Sequence, residues 1–315
     1  MHSLEPEVEQ LRAASMLDEQ SATRLGALES GATFSLYYEL RILGYAAVLL
    51  IITGIGLLLK DNFQRIGPLA IAAAVGLAAA CCYVYAARKQ WRRQPRSIVG
   101  DYVLLLGGML VSADVAFLEV QLHWLGDRWA LHLLLLAVFH AFCAYAFDSR
   151  LLLSLALAAL AGWLGASRHL DDLFSSGYGA GQYGARSLLA ALCALIGRVL
   201  NQHLLRRPQF NEVFDHYAIN FGFWAGLIWC GSDRTLPLGA LLTAALSVWT
   251  IRLSLQRRSE WFAVYGVVYG AIGLCMVCGR LMRDPFSIAL VVLLAVIGAV
   301  VLLRSLHQRL RESTP

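Results

Sequence analysis

Between Gly100 and Gly165 the chain sets Asp101, Asp114, Glu119, Gln121, His123, His132, His140 and Asp148 among runs of leucine, valine and alanine. Carboxylates and imidazoles exchange protons, and amide and imidazole groups bind polar solutes, so the residue types suit chemistry here. The surroundings make them unusual. An ionisable group inside a membrane-spanning helix costs about 2.5–3.5 kcal/mol even on the lenient insertion scale, so several together imply protein or water as neighbours rather than lipid. Chains of Asp, Glu and His are the usual material of proton paths, and the sharp reading is a relay or solute site opening to the outer face. The bland reading is an internal hydrogen-bond network that fixes the helix register.

A helix must carry these groups. At a repeat of seven, Gly107, Asp114 and Gln121 share one face, while Ser112, Ala116 and Glu119 share another. Neither face suits lipid, so this helix belongs inside a bundle. At a rise of 1.5 Å per residue, Asp114 lies about 21 Å along from Gly100, in the outer half of a bilayer, with Glu119 near the outer boundary. The following helix runs back, which brings His132 to the depth of Glu119 and His140 near the membrane centre. His216 and Asn220, an i,i+4 pair, extend the path towards the cytoplasm, and Asn62 stands in a short outer turn.

Composition agrees with that setting. Of 315 residues 58% are hydrophobic and only 15% are charged, against about 25% charged in a soluble domain. A hydrocarbon core of about 30 Å takes about 20 apolar residues per helix. That ruler finds ten spans, near 42–59, 66–87, 100–121, 129–147, 150–167, 186–203, 213–231, 236–254, 261–280 and 286–304. The fold class is therefore an all-α integral membrane bundle. Only Asp148 and Ser149 separate the fourth and fifth spans, which must form a tight hairpin. The membrane domain covers 41–306, preceded by a helical preamble over 1–40 and followed by a tail over 307–315.

Basic residues then orient the bundle, because Lys and Arg concentrate in cytoplasmic loops. Alternate loops hold seventeen on one side and eight on the other, with Arg198 inside a span. Both termini fall on the richer side. The preamble opens with Glu5, Glu7 and Glu9 and lacks the basic start and apolar core of a cleavable signal, which agrees with a retained cytoplasmic amino terminus. Its acidic and apolar alternation predicts two amphipathic helices, Glu5–Ala14 and Asp18–Ser30, packing on the membrane domain or docking a protein partner. The net charge of +5 is spread over short loops rather than one surface, so nucleic acid is not an expected partner.

Other chemistries find little material. The seven cysteines lie in or beside apolar runs, where they behave as small hydrophobes. Cys275 and Cys278 have no second Cys or His pair to complete a zinc site. His132 and His140 lack the i,i+4 spacing that puts two ligands on one helix face. No metal and no cofactor is expected. The sequence also lacks G-x-S-x-G, H-E-x-x-H and Walker motifs, which argues against an enzyme. The Gly-rich stretch of Arg168–Ala185 reads as a mobile external connector, with a ligand lid as the alternative, and it has no phosphate-binding ending. Gly222 with Gly226, and Gly266 with Gly270, provide for close helix approach.

The acidic preamble, the glycine-spaced first span (Gly44, Gly54, Gly56), the turn Asp61-Asn62-Phe63 and the segment LEVQLHWLGDRW resemble bacterial multi-pass membrane proteins classed as a domain of unknown function. In that family the turn carries Asn-Trp, and a segment of the Gln-x-His kind follows the third or fourth span. Asn62, Gln121, His123, Gly126, Asp127 and Trp129 stand at the matching positions, and Phe63 replaces the Trp. The resemblance covers residues 5–165 and implies a bacterial inner-membrane protein without an assigned activity. Ten spans in about 300 residues with both ends inside also resemble drug/metabolite transporters, whose halves are inverted repeats. The expected function is a small-solute permease, proton-coupled through Asp114; the alternative is a non-transporting scaffold or assembly factor. Topology is directly testable. In a background without native thiols, Tyr178→Cys should label from outside and Arg93→Cys from the cytoplasm; the reverse pattern inverts the orientation.

Overall fold

The computed structural model describes residues 37–91, 98–123, 125–128, 130–166, 179–282 and 284–312. The amphipathic helices expected over Glu5–Ala14 and Asp18–Ser30 lie outside them. Among the described residues the regular structure is all helical, in ten α-helices: α1 (Tyr37–Ile66), α2 (Pro68–Trp91), α3 (Ile98–Leu122), α4 (Leu131–Phe147), α5 (Arg150–Ala166), α6 (Gly179–Leu200), α7 (Pro208–Cys230), α8 (Leu236–Arg257), α9 (Glu260–Leu281) and α10 (Pro285–Glu312). Each coincides with one expected apolar run. A single turn of π-helix, Asn201–Leu205, prolongs α6.

Six of the ten, α2, α3, α6, α8, α9 and α10, are long and apolar enough to cross a bilayer. The chain is thus a multi-pass membrane protein. At 17 residues each, α4 and α5 are about 25 Å tall, somewhat short of a 30 Å hydrocarbon core. Helix α7 has the length but opens with Gln209, Asn211, Glu212, Asp215 and His216, whose partners are described below.

Turn chemistry explains the breaks. The turn expected at Asp61–Phe63 is helical, and the chain reverses instead at Gly67, where φ is 79°. Glycine takes this left-handed conformation without steric cost, and Pro68 then starts α2, where its missing N–H is no loss. Between α4 and α5, Asp148 is left-handed (φ 56°) and its N–H donates to the Ala144 carbonyl. Ser149 donates its own N–H to the same carbonyl, and its Oγ accepts the Leu152 N–H at 3.4 Å. This is the expected two-residue hairpin. At α10, Asp284 Oδ2 accepts the backbone N–H and the hydroxyl of Ser287. Those bonds, the backbone one foremost, hold the Asp284 carboxyl below the usual carboxylate range.

Packing follows chain order. Helices α2 with α3, α4 with α5, α6 with α7, α7 with α8, α8 with α9, and α9 with α10 form the main contacts, while α5 joins the first five helices to α6 and α7. The largest core gathers Leu104, Cys143, Ala144, Leu152, Leu153, Leu157, Ala194, Phe210, Phe214 and Ala218. Smaller cores lie at α7–α9, around Ile219, Phe223 and Phe262, and at α9–α10, around Ala263, Val267 and Leu306.

Glycines set the closest approaches. Side chains of α8 fill the grooves at both expected Gly-xxx-Gly pairs: Leu246 lies over Gly222, Thr243 over Gly226, Thr250 over Gly266 and Ser247 over Gly270. The Gly-rich stretch also departs from a connector, because α6 begins at Gly179. Trp229 fills the space at Gly184 and donates its indole N–H to the Gly181 carbonyl at 3.0 Å, so these glycines make room for a ring. A Cβ on Gly239 would stand 2.5 Å from the Cys230 nitrogen and 2.6 Å from the Gly226 oxygen. Both are backbone atoms and cannot rotate away. Gly239→Ala should therefore cost about 1–3 kcal/mol, whereas Gly56→Ala, with nothing within 4 Å, should be neutral or stabilising by a few tenths. Melting of the two variants in the same detergent tests the contrast.

Candidate functional site

On α3 and α4 the structure joins Ser112 to His140: Ser112 Oγ lies 2.8 Å from His140 Nε2. The serine hydroxyl also sits 3.1 Å from the Gly108 carbonyl. A hydroxyl has one proton to give, so it donates either to the Gly108 carbonyl or to the imidazole, and the His140 tautomer follows that choice. In both cases Nδ1 is the ring nitrogen that Ser112 does not engage. That nitrogen is enclosed without a hydrogen-bond partner, in a residue with no exposed surface. Gly108 makes the arrangement fit, since a Cβ there would stand 2.7 Å from Leu152 and 3.6 Å from His140 Cε1.

Asp114 turns the other way. Two residues on a helix are about 200° apart, so with Ser112 facing α4, Asp114 faces α2. A Cβ on Gly76 would stand 3.2 Å from its Oδ2. Its Oδ1 is enclosed without a hydrogen-bond partner. The two stripes read on this helix are thus two separate environments.

The remaining positions of the first half divide. Glu119 is buried, and its Oε2 accepts the Leu125 N–H at 3.4 Å, which ties the end of α3 to the following 3₁₀ turn Gly126–Arg128. His132 is buried at the start of α4. Gln121 and His123 are exposed, and His123 closes α3 in a left-handed conformation, φ 49°. Asn62 lies on the helical backbone near the end of α1. Among the described residues no group of three His, Cys, Asp or Glu side chains could hold a metal ion.

The second half contains a polar cluster of its own. Asn220 Nδ2 donates to the His216 carbonyl, and its Oδ1 accepts the Tyr269 hydroxyl, each at 2.7 Å. The His216 ring stacks on Phe262 at 5.2 Å and meets Tyr265 edge-on. Its Nε2 is 3.8 Å from Glu212. This pair belongs with α9, since α7 packs on α5, α6, α8 and α9, whereas α3 packs on α1, α2, α4 and α5.

Sequence reasoning missed Asp215. It is 5% exposed and held between Arg198 of α6, at 2.8 Å, and Arg257 of α8. Arg257 also lies over the Phe262 ring. The signal was present: Arg198 and Asp215 are equally far from the loop that joins their helices, so opposite charges on consecutive helices stand at one level.

Residues 9–153 match the family described as Predicted membrane protein (DUF2157). The match covers most of the stretch that carries the resemblance. No curated protein and no solved structure matches the chain. The DUF2157 match includes Ser112, Asp114, Glu119, His132 and His140, and it ends at Leu153 on α5. The Asp215 cluster and the His216–Asn220 pair lie beyond it. Removing the buried carboxylate would strand two arginines. Asp215→Leu should destabilise by about 2–4 kcal/mol, towards the lower value because Arg257 is partly solvated. Denaturation in detergent measures the loss, and an unchanged midpoint would mean the clamp contributes nothing.

Proposed function

We propose that the chain crosses the bacterial inner membrane ten times, with both termini in the cytoplasm, and works as a small-solute permease coupled to protons. The observation that carries this reading is His140 Nδ1, an enclosed ring nitrogen in the bundle without a hydrogen-bond partner. Unpaired buried polar atoms cost about 1–3 kcal/mol, and a group that only tied helices together would have a partner. Asp114 Oδ1, on the next face of α3, is a second such atom. Together they would supply one proton-binding group on each side of one helix, towards α4 and towards α2. The alternation of basic loops supports the orientation, and the count of ten adds α1, α4 and α5, whose apolar runs are shorter, and α7, whose first turns are polar, to the six helices long and apolar enough to cross.

A scaffold makes a different demand of these atoms, since it needs neither of them free. His140→Gln keeps an N–H for Ser112 but removes the basic nitrogen, and Asp114→Asn replaces the acid with an amide of the same shape. Both variants should express and fold as the parent does while losing proton uptake into proteoliposomes and failing to complement a deletion strain. Active variants would end the relay. If the parent protein moved no proton or solute and deletion of residues 1–30 abolished its cellular role, the scaffold would replace the permease.

A further inference from the structure

Two cations share one anion where α6 passes into α7. The Phe214 ring fills the space at Gly197, and that close approach brings the next residue of each helix, Arg198 and Asp215, within 2.8 Å. From α8, Arg257 reaches the other carboxylate oxygen of Asp215. Among the described residues no second carboxylate pairs with either guanidinium. Glu212, nearly one turn before Asp215 on α7, is engaged by Arg150 at 3.1 Å and lies 3.8 Å from His216. The cluster therefore carries one positive charge in excess. Arg198 stands seven residues before Leu205, where its apolar helix ends, which sets it about 10 Å from that end. A charge at such a depth is costly unless it is paired or reached by water.

Hydrogen-bond donors are left over as well as charge. Arg198 Nε is enclosed, and although it faces Asp215 Oδ1 it makes no hydrogen bond. Arg257 gives Nη1 to Asp215 and lies over the Phe262 ring, 5.8 Å from its centroid. An aromatic face attracts a cation, so the ring, which also stacks with His216, holds this guanidinium in place. The Arg198 and Arg257 side chains are 29% and 37% exposed, against 6% for Asp215. The arginines, not the carboxylate, face an approaching ligand.

We infer that Arg198 and Arg257 form a binding site for an oxyanion, a carboxylate or phosphate group, beside Asp215. A guanidinium presents its N–H groups in a planar fork that matches two oxygens of such a group, and Asp215 takes up only part of each fork. The incoming oxygens take the donors that Asp215 leaves free, and one negative charge brings the cluster to neutrality. The oxyanion comes either as a free solute or as the phosphate of an anionic lipid. The site does not depend on the permease reading.

Thermal unfolding reads the binding. The full-length protein is purified in a neutral maltoside detergent at pH 7, and sodium phosphate replaces sodium chloride at constant ionic strength; a second series adds phosphatidylglycerol at fixed salt. The midpoint of the parent should rise in at least one series, as a ligand of the folded state requires. A response to phosphate marks a free solute, and a response to phosphatidylglycerol alone marks a lipid. Arg257→Gln should weaken the apparent affinity about tenfold. Asp215→Asn, which removes the competing charge and keeps the shape, should tighten it about tenfold. Should either fail to fold, Arg198→Lys, which keeps the charge and loses the fork, should weaken binding by less than Arg257→Gln. A midpoint that rises alike in parent and variants reflects the general action of phosphate on protein surfaces and overturns the site, as does one that stays flat in both series. Variant-dependent binding in a protein without solute flux upholds the site and counts against the permease, whereas flux with a flat midpoint refutes the site alone.

Discussion

Hydrocarbon offers no hydrogen bonds, so each polar group carried into the bilayer must find its partner on another helix or on its own backbone. That demand shapes the bundle more than apolar packing does, since lipid tails are as apolar as leucine. Asp215 meets it with two arginines from two helices, Asn201 with bonds to three residues, and Asn220 with a tyrosine and a carbonyl. Each such group fixes the rotation of its helix, because a turn of one residue would leave a charge or an amide without a partner. Hydroxyls that lack a distant partner bond to the preceding turn, as Thr250 does with the Leu246 carbonyl.

Against this background the enclosed polar atoms without a hydrogen-bond partner stand out, and they occur in both halves: the Tyr83 hydroxyl, Asp114 Oδ1 and His140 Nδ1 on α2–α4, and Arg198 Nε, His216 Nδ1 and Thr243 Oγ1 on α6–α8. Asp114 and His140 lie within the stretch that matches DUF2157. Helix α7, the most polar, is held because its carboxylates are neutralised by neighbours, so the helix can run inside the bundle.

Much of the fold was legible because a span has a fixed length in apolar residues. All ten runs became helices, and the Asp148–Ser149 hairpin followed from the absence of room for anything longer. The turn at Asp61–Phe63 was misplaced because polarity is a weaker signal than backbone conformation, and Gly67 with Pro68 provided the stronger break. The Gly-rich stretch misled for a related reason: glycine reads as loop, yet Gly184 serves a helix that must admit Trp229. The two faces of α3 were readable from periodicity, but which helix each face meets was not, since that depends on the order of packing. Asp215 escaped because Arg198, noted inside a span, was not matched with a carboxylate at the same depth on the next helix.

The height of the α4–α5 hairpin has a bearing on the lipid itself. Two helices about 25 Å tall beside longer neighbours leave a hydrophobic mismatch, and a bilayer relieves it by drawing its headgroups inward at a cost of fractions of a kcal/mol per ångström. His140 sits on the shorter of α3 and α4. Where that hairpin spans the bilayer, the membrane beside it would be dimpled, which would bring bulk water closer to the imidazole. Membrane thickness thereby becomes a variable of the site, so that lipids with longer tails would act on it without touching it.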